Sequence, residues 1–257
     1  MGVEDFCLAY ADGFGRVCHG PLGVVWSARF ECGIPVRGFP SFKGQRNFTG
    51  WYWAATGATH VGYESWLERD HVMRLDFDRQ VAAVVSQPFR LSWRVEGRRR
   101  RVSHTPDYFV RHRHGTVLVV DVRPDERIDP EDAAKFAATA TACAQVGWGY
   151  QRLGVMAPML AANLRWLAGY RHPRVMREAV AFGLRSAFAE GQGLLKGARV
   201  VGDPIAVLPV LFHLLWRQDL VVDLESTLLS AASVVSPRAG SGEVAGDADA
   251  SAAAVSG

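Results

Sequence analysis

Glu68, Asp107 and Asp121 are three carboxylates set at the ends of segments patterned as helix and strand, and Arg123 follows the last of them by two residues. Carboxylate oxygens are hard ligands that select magnesium or manganese over zinc. Two or three of them around one divalent cation suit the hydrolysis of a phosphodiester, because the metal makes water nucleophilic and neutralises charge on the phosphate. Asp121 closes the run Val117-Leu118-Val119-Val120, which reads as a central strand buried on both faces. An ionised carboxylate there is costly unless a metal or a cation satisfies it. Residues two apart on a strand share a face, so Arg123 emerges beside Asp121.

Each of these residues also has a simpler reading. Glu68 fits a solvated helix residue paired with Arg69, and Glu64, on the same helical face, is an alternative to it. Asp107 after Pro106 fits a turn-former at a strand start, and Asp121 a strand-end residue capping the next loop. The run Arg98, Arg99, Arg100 and Arg101 lies beside a hairpin turn, as either a phosphate clamp or a solvated edge that discourages sheet aggregation. His104 either contacts phosphate or satisfies a local backbone bond. Such phosphate contacts position a protein on DNA without reading its sequence.

The elements that must hold these residues are legible from hydrophobic period. Trp51-Tyr52-Trp53 and Thr59 to Tyr63 read as a hairpin turned at Thr56-Gly57, followed by a helix from about Glu64 with Trp66, Leu67, Met73 and Phe77 as apolar positions. Val81 to Val85, Phe89 to Val95, Arg98 to Val102, His104 to Val110 and Val117 to Val122 read as strands joined by turns at Glu96-Gly97 and Gly115. Asp129-Pro130-Glu131 opens an alanine-rich helix to about Val146, with Asp129 as its cap, and Trp148 to Leu153 supplies one more strand. Beyond Pro158 the pattern is mainly helical, at Leu160 to Gly169, Arg174 to Glu190 and Pro204 to Trp216, and it ends in a short strand at Leu220-Val221-Val222.

The chain has 257 residues, 49% of them apolar, enough for one large core or two small ones. The four cysteines are too irregularly spaced for a disulfide framework or paired zinc knuckles. No transmembrane helix is expected, since the stretch around Pro204 to Trp216 is too short, and without a basic, apolar leader at residue 1 the expected location is cytoplasmic. Net charge is +3, but the cations are almost all arginine, with Lys43, Lys135 and Lys196 the only lysines. Arginine suits phosphate oxygens, and a compositional bias of the genome gives the same excess.

Taken in order, Ser65-Trp66-Leu67-Glu68, Gln87-Pro88-Phe89, Thr105-Pro106-Asp107-Tyr108-Phe109 and Val120-Asp121-Val122-Arg123-Pro124 resemble the motifs of TnsA-like endonuclease subunits of heteromeric transposases. The likeness covers roughly Trp51 to Leu153. It implies an α/β fold with a restriction-endonuclease-like PD-(D/E)XK core, a mixed central sheet flanked by helices. It also implies an endonuclease acting at transposon ends with Mg2+ or Mn2+ on Glu68, Asp107 and Asp121, and as partners DNA, a transposase subunit and a regulatory ATPase subunit. The family places a lysine where Arg123 stands; arginine stays charged at any accessible pH and can hold, but not deprotonate, water. Lys135, one turn into the next helix, is a possible substitute. The expected organisation is an irregular N-terminal segment over 1–48, the endonuclease core over 49–155, a mainly helical, winged-helix-like domain over 156–236 and a disordered tail over 237–257.

Overall fold

The computed structural model describes residues 6–39, 48–97 and 99–238. The fold is mixed α/β and divides into two compact units, one running through Val175 and including Leu224–Leu229, the other comprising Met176–Asp223 and the chain from Ser230. The tail beyond 238 and Arg98 lie outside the described residues. Among the described residues no single helix is long and apolar enough to cross a membrane.

The first unit opens with β1 (Cys7–Ala11), β2 (Val17–Pro21) and the one-turn α1 (Leu22–Val25). The segment expected to be irregular thus carries two paired strands, and β1 also pairs with β6 (Arg90–Trp93). The signal is weak in sequence because β1 is set by a distant partner rather than by its own alternation. The contribution to the core is plain nonetheless, with Phe6, Leu8, Leu22 and Phe30 fully buried.

Next come the hairpin β3 (Gly50–Ala54) and β4 (Thr59–Tyr63), then α2 (Trp66–Phe77). The helix begins at Trp66 because Ser65 is its cap: the Ser65 hydroxyl accepts from the Glu68 N–H, while Glu68 accepts from the Ser65 hydroxyl and the Glu64 N–H. This Ser-x-x-Glu arrangement resembles a capping box, with the glutamate accepting the N–H one residue before the cap.

The remaining strands of this unit are β5 (Val81–Ser86), β6, β7 (Val102–His104), β8 (Tyr108–His112) and β9 (Val117–Val122), followed by α3 (Pro130–Gln145), β10 (Gly149–Leu153) and α4 (Pro158–Ala168). One sheet has the order β10-β9-β8-β5, antiparallel except for the parallel pair β9 and β10 that α3 connects. The other has the order β2-β1-β6-β7. Asp129 caps α3 by accepting from the Asp132 N–H, and Pro130 holds the first position, as its sequence implies. Of the strand expected over Arg98 to Val102, only Val102 onward pairs, opposite Trp93, and Arg99 and Arg100 lie in a bend.

Gln87 carries the chain from one sheet to the other. It adopts a left-handed backbone with φ of 47°, its N–H donates to the Asp107 carbonyl, and its own carbonyl accepts from Val36. The backbone just ahead of β8 is fixed in this way, and the Asp107 side chain with it. Phe30, Phe89, Phe109 and Trp148 fill the core of this unit, where Phe30 meets each of the other three rings edge-on or tilted.

The boundary expected at residue 155 falls at Val175 instead. The reason is α4, whose Arg165 donates from Nε and Nη2 to the two carboxylate oxygens of Asp70 in α2, while Asn163 bonds the backbone of Leu224, Thr227 and Leu229. The second unit consists of α5 (Glu178–Ala187), β11 (Gln192–Gly193), α6 (Leu194–Val201), α7 (Pro204–Trp216), β12 (Leu220–Val222) and β13 (Val234–Pro237). Its sheet has the order β11-β13-β12, and α6 and α7 meet at 119°. In this unit α6 and α7 are followed by the antiparallel pair β12 and β13. Eight residues of α7, from Val207 to Trp216, are buried, and the helix carries no arginine or lysine.

Candidate active site

The N-terminus of α2, the approach to β8 and the exit of β9 converge on a cleft of about 530 Å³. Glu64 lines it from just ahead of α2 and Glu68 from the helix's first turn, Asp107 from just ahead of β8, and Val122, Arg123 and Pro124 from the end of β9. Arg37, Arg90, Arg127 and Lys135 add cations, and His104 stands at the end of β7. Three carboxylates set among five cationic side chains make a surface able to receive a phosphate while still holding uncompensated negative charge.

The strain of gathering these acids falls mainly on Asp107. One of its oxygens accepts the Val122 N–H at 2.7 Å, which favours the ionised form. Burial and the nearby carboxylates of Glu68 and Asp121 outweigh this bond and hold the carboxyl well above the usual carboxylate range. Glu68 is also raised, chiefly by burial, with the Glu64 N–H and the Ser65 hydroxyl pulling the other way. Three cations of the cleft are already paired. Arg37 pairs with Glu64 at 2.7 Å, Arg123 with Asp132 at 2.7 Å, and Lys135 with Glu131 at 3.1 Å.

Asp121 sits beneath this surface. It is 2% exposed and does not line the cleft. One oxygen is 2.8 Å from Nε2 of His104 and the other accepts the Tyr150 hydroxyl at 2.8 Å. Burial, and then the charge of Asp121, drive the Tyr150 phenol upward and push the Cys143 thiol up to about 12. Of the three carboxylates expected to share a metal, Glu68 and Asp107 line the cleft and Asp121 lies behind its lining. Arg123 also departs from expectation: although it lines the cleft, its guanidinium reaches across to α3, with Nε donating to the Arg127 carbonyl at 3.3 Å.

Divalent-metal chemistry can be tested against these residues. Among the described residues no three His, Cys, Asp or Glu side chains are grouped as a ready metal centre. Magnesium does not require one, since it keeps several waters and is commonly bound by one or two carboxylates plus substrate phosphates. Glu68 and Asp107 fit that demand. They face one cleft, repel each other, and each oxygen that accepts one hydrogen bond retains a further lone pair.

The structure thus brings Glu68, Asp107, Arg123 and His104 to one cleft, with Asp121 directly behind His104. Of the arginine run, Arg98 lies outside the described residues, and Arg99, Arg100 and Arg101 do not line the cleft. Arg99 and Arg100 lie at the turn end of β6 and β7, and Arg101 is turned onto Ser92, donating to its carbonyl at 2.8 Å. Sequence reasoning missed Arg37, Arg90, Arg127 and Tyr150. Arg90 directly follows Gln87-Pro88-Phe89 and was findable from that motif, whereas Arg37 lies in a segment without periodicity. No known protein-family profile and no curated protein sequence matches this chain.

Proposed function

We propose that this chain is a metal-dependent DNA endonuclease, the cutting subunit of a heteromeric transposase acting at transposon ends. The observation that carries the reading is Asp107: a carboxyl group set close to Glu68 and Asp121 and without an ion-pair partner among the described residues, in a cleft otherwise rimmed by arginine and lysine. An uncompensated acidic centre within a cationic rim matches a divalent cation and the phosphodiester it activates. Glu68 and Asp107 hold Mg2+ or Mn2+, which supplies Lewis-acid charge stabilisation and a more acidic water. Arg37, Arg90 and Arg127 hold the DNA backbone. The mixed sheet β10-β9-β8-β5, with α2 before it and α3 crossing between β9 and β10, is the arrangement a restriction-endonuclease-like core requires, and it supports the same reading.

A transposase subunit that handles the other strand and a regulatory ATPase follow from the resemblance of the four motifs. A second reading has a specific observation behind it. Arg123, in place of the family lysine, is paired with Asp132, which favours a subunit that docks on DNA and cuts weakly. Labelled transposon-end DNA, incubated with the protein, its neighbouring transposase and Mg2+ or Mn2+, separates the two. The endonuclease reading expects wild type to cut one strand and Asp107→Ala to cut none. Equal behaviour of both, with DNA binding retained, establishes the docking subunit.

A further inference from the structure

We propose that Gln87 is a positioning residue of the site, and that its left-handed backbone, not its side-chain amide, sets Asp107 and Arg37 at the cleft. The proposal rests on the endonuclease reading and deepens it by naming what holds the metal-binding carboxylate in place.

Among the described residues, those other than glycine with a positive φ are Ala58, Gln87 and Gln218. Ala58 is exposed and Gln218 half-buried, whereas Gln87 is 2% exposed. A Cβ makes the left-handed region costly, and a following proline biases a residue toward extended backbone, so neither Gln87 nor Pro88 favours the course the chain takes here. Strain of this kind persists only where the surroundings over-determine it, and it gathers at functional sites. Two backbone bonds do so at Gln87: its N–H donates to the Asp107 carbonyl at 2.8 Å, and its carbonyl accepts the Val36 N–H at 3.0 Å.

Both bonds end beside the cleft. Asp107 lines it, held by Gln87 at its carbonyl and by the Val122 N–H at its carboxyl, so the ends of β5 and β9 fix it from two sides. Val36 precedes Arg37, which lines the cleft and pairs with Glu64. Ser86 is in register with Tyr108, so an extended residue 87 would continue β5 alongside β8 instead of crossing to β6, and its carbonyl would no longer meet Val36. The amide does not lock this turn, because Oε1 of Gln87 is enclosed without a hydrogen-bond partner among the described residues.

Substitutions ranked by their tolerance of the left-handed region test this on the full chain, with Mn2+ binding read by electron paramagnetic resonance and cutting read on transposon-end DNA. Gln87→Gly, Gln87→Asn and Gln87→Ala are expected to stay within about threefold of wild type in both, since glycine and asparagine visit that region and alanine meets it no worse than glutamine. Gln87→Val, smaller than glutamine but β-branched, is expected to lose about 10- to 100-fold in Mn2+ affinity, with DNA binding in the absence of metal unchanged. Urea unfolding confirms that each variant is folded, and Gln87→Thr replaces Gln87→Val if the latter is not. Wild-type Mn2+ affinity in the folded β-branched variant overturns the proposal and leaves the endonuclease intact. So does a loss in Gln87→Gly and Gln87→Ala as large as that in Gln87→Val, which assigns the role to the amide. Wild type that neither binds Mn2+ nor cuts with either metal overturns both readings.

Discussion

Asp76 and Asp107 are aspartates enclosed in the same unit, and they meet opposite surroundings. Asp76, near the end of α2, accepts from the Tyr52 hydroxyl, the Ala55 N–H, and both the N–H and the hydroxyl of Thr56. These donors bind the turn between β3 and β4 to the helix, where Ala58 takes a left-handed φ of 49°. Asp107 receives one N–H, from Val122, and otherwise faces carboxylates. Donors around a buried charge turn it into a structural brace, whereas like charges around it leave a site that an external cation completes. Asp70, clamped by Arg165, belongs with Asp76. What separates these aspartates is the chemistry of the groups around them.

The widest separation between the two classes is expected from alanine and asparagine substitutions. Asp107→Asn should reduce cutting by more than the roughly 10- to 100-fold typical of residues that only support a metal ligand. Asp76→Ala, which strands four donors, should cost about 3–5 kcal/mol in urea unfolding and leave the cutting rate of the folded fraction near wild type. Equal losses of activity in the two variants would erase the distinction.

The second effect is in the pH dependence of stability. Asp107 has a folded-state pKa raised above its unfolded value, so the native state holds an extra proton in the window between the two. Its contribution is then favourable below that window and is lost as pH rises through it. Without metal, the melting temperature should fall from pH 5 to pH 8 more steeply in wild type than in Asp107→Asn, by calorimetry. Magnesium or manganese should raise the wild-type melting temperature at pH 8 and leave that of Asp107→Asn unchanged.

Smaller effects sharpen the structural side. Arg165→Ala leaves Asp70 buried and partnered only by Arg69, and should destabilise by about 2–3 kcal/mol, less than a fully enclosed pair because Arg165 is half-exposed. Ser65→Ala removes the cap of α2 and should cost about 1 kcal/mol. It should also loosen Glu68, so a measurable drop in metal affinity is expected with it. An unchanged affinity would show that Glu68 holds its position without the capping box.

Much of the first unit was legible in its sequence, for local reasons. The apolar run Val117 to Val120 forms a central strand, Asp129-Pro130 starts α3 by its own chemistry, and the aromatic alternation around Trp51 makes a hairpin. Periodicity and capping act over a few residues, so they survive without knowledge of the fold. The four motifs likewise placed Glu68 and Asp107 in one region because they end elements that converge. Cys7 to Ala11 was not legible as a strand, since β1 pairs with β6 some eighty positions away.

What tertiary structure alone decided is the division of labour within the site. Sequence spacing put Asp121 and Arg123 on one strand face and so made them appear as one acid and one cation in a common pocket. Packing of α3 drew Arg123 toward Asp132, and β7 and β10 brought His104 and Tyr150 onto Asp121. None of these partners is close in sequence, and a charge is assigned by the nearest group in space. The residue types fixed which chemistry was open to the chain; long-range contacts fixed which atoms are free to perform it.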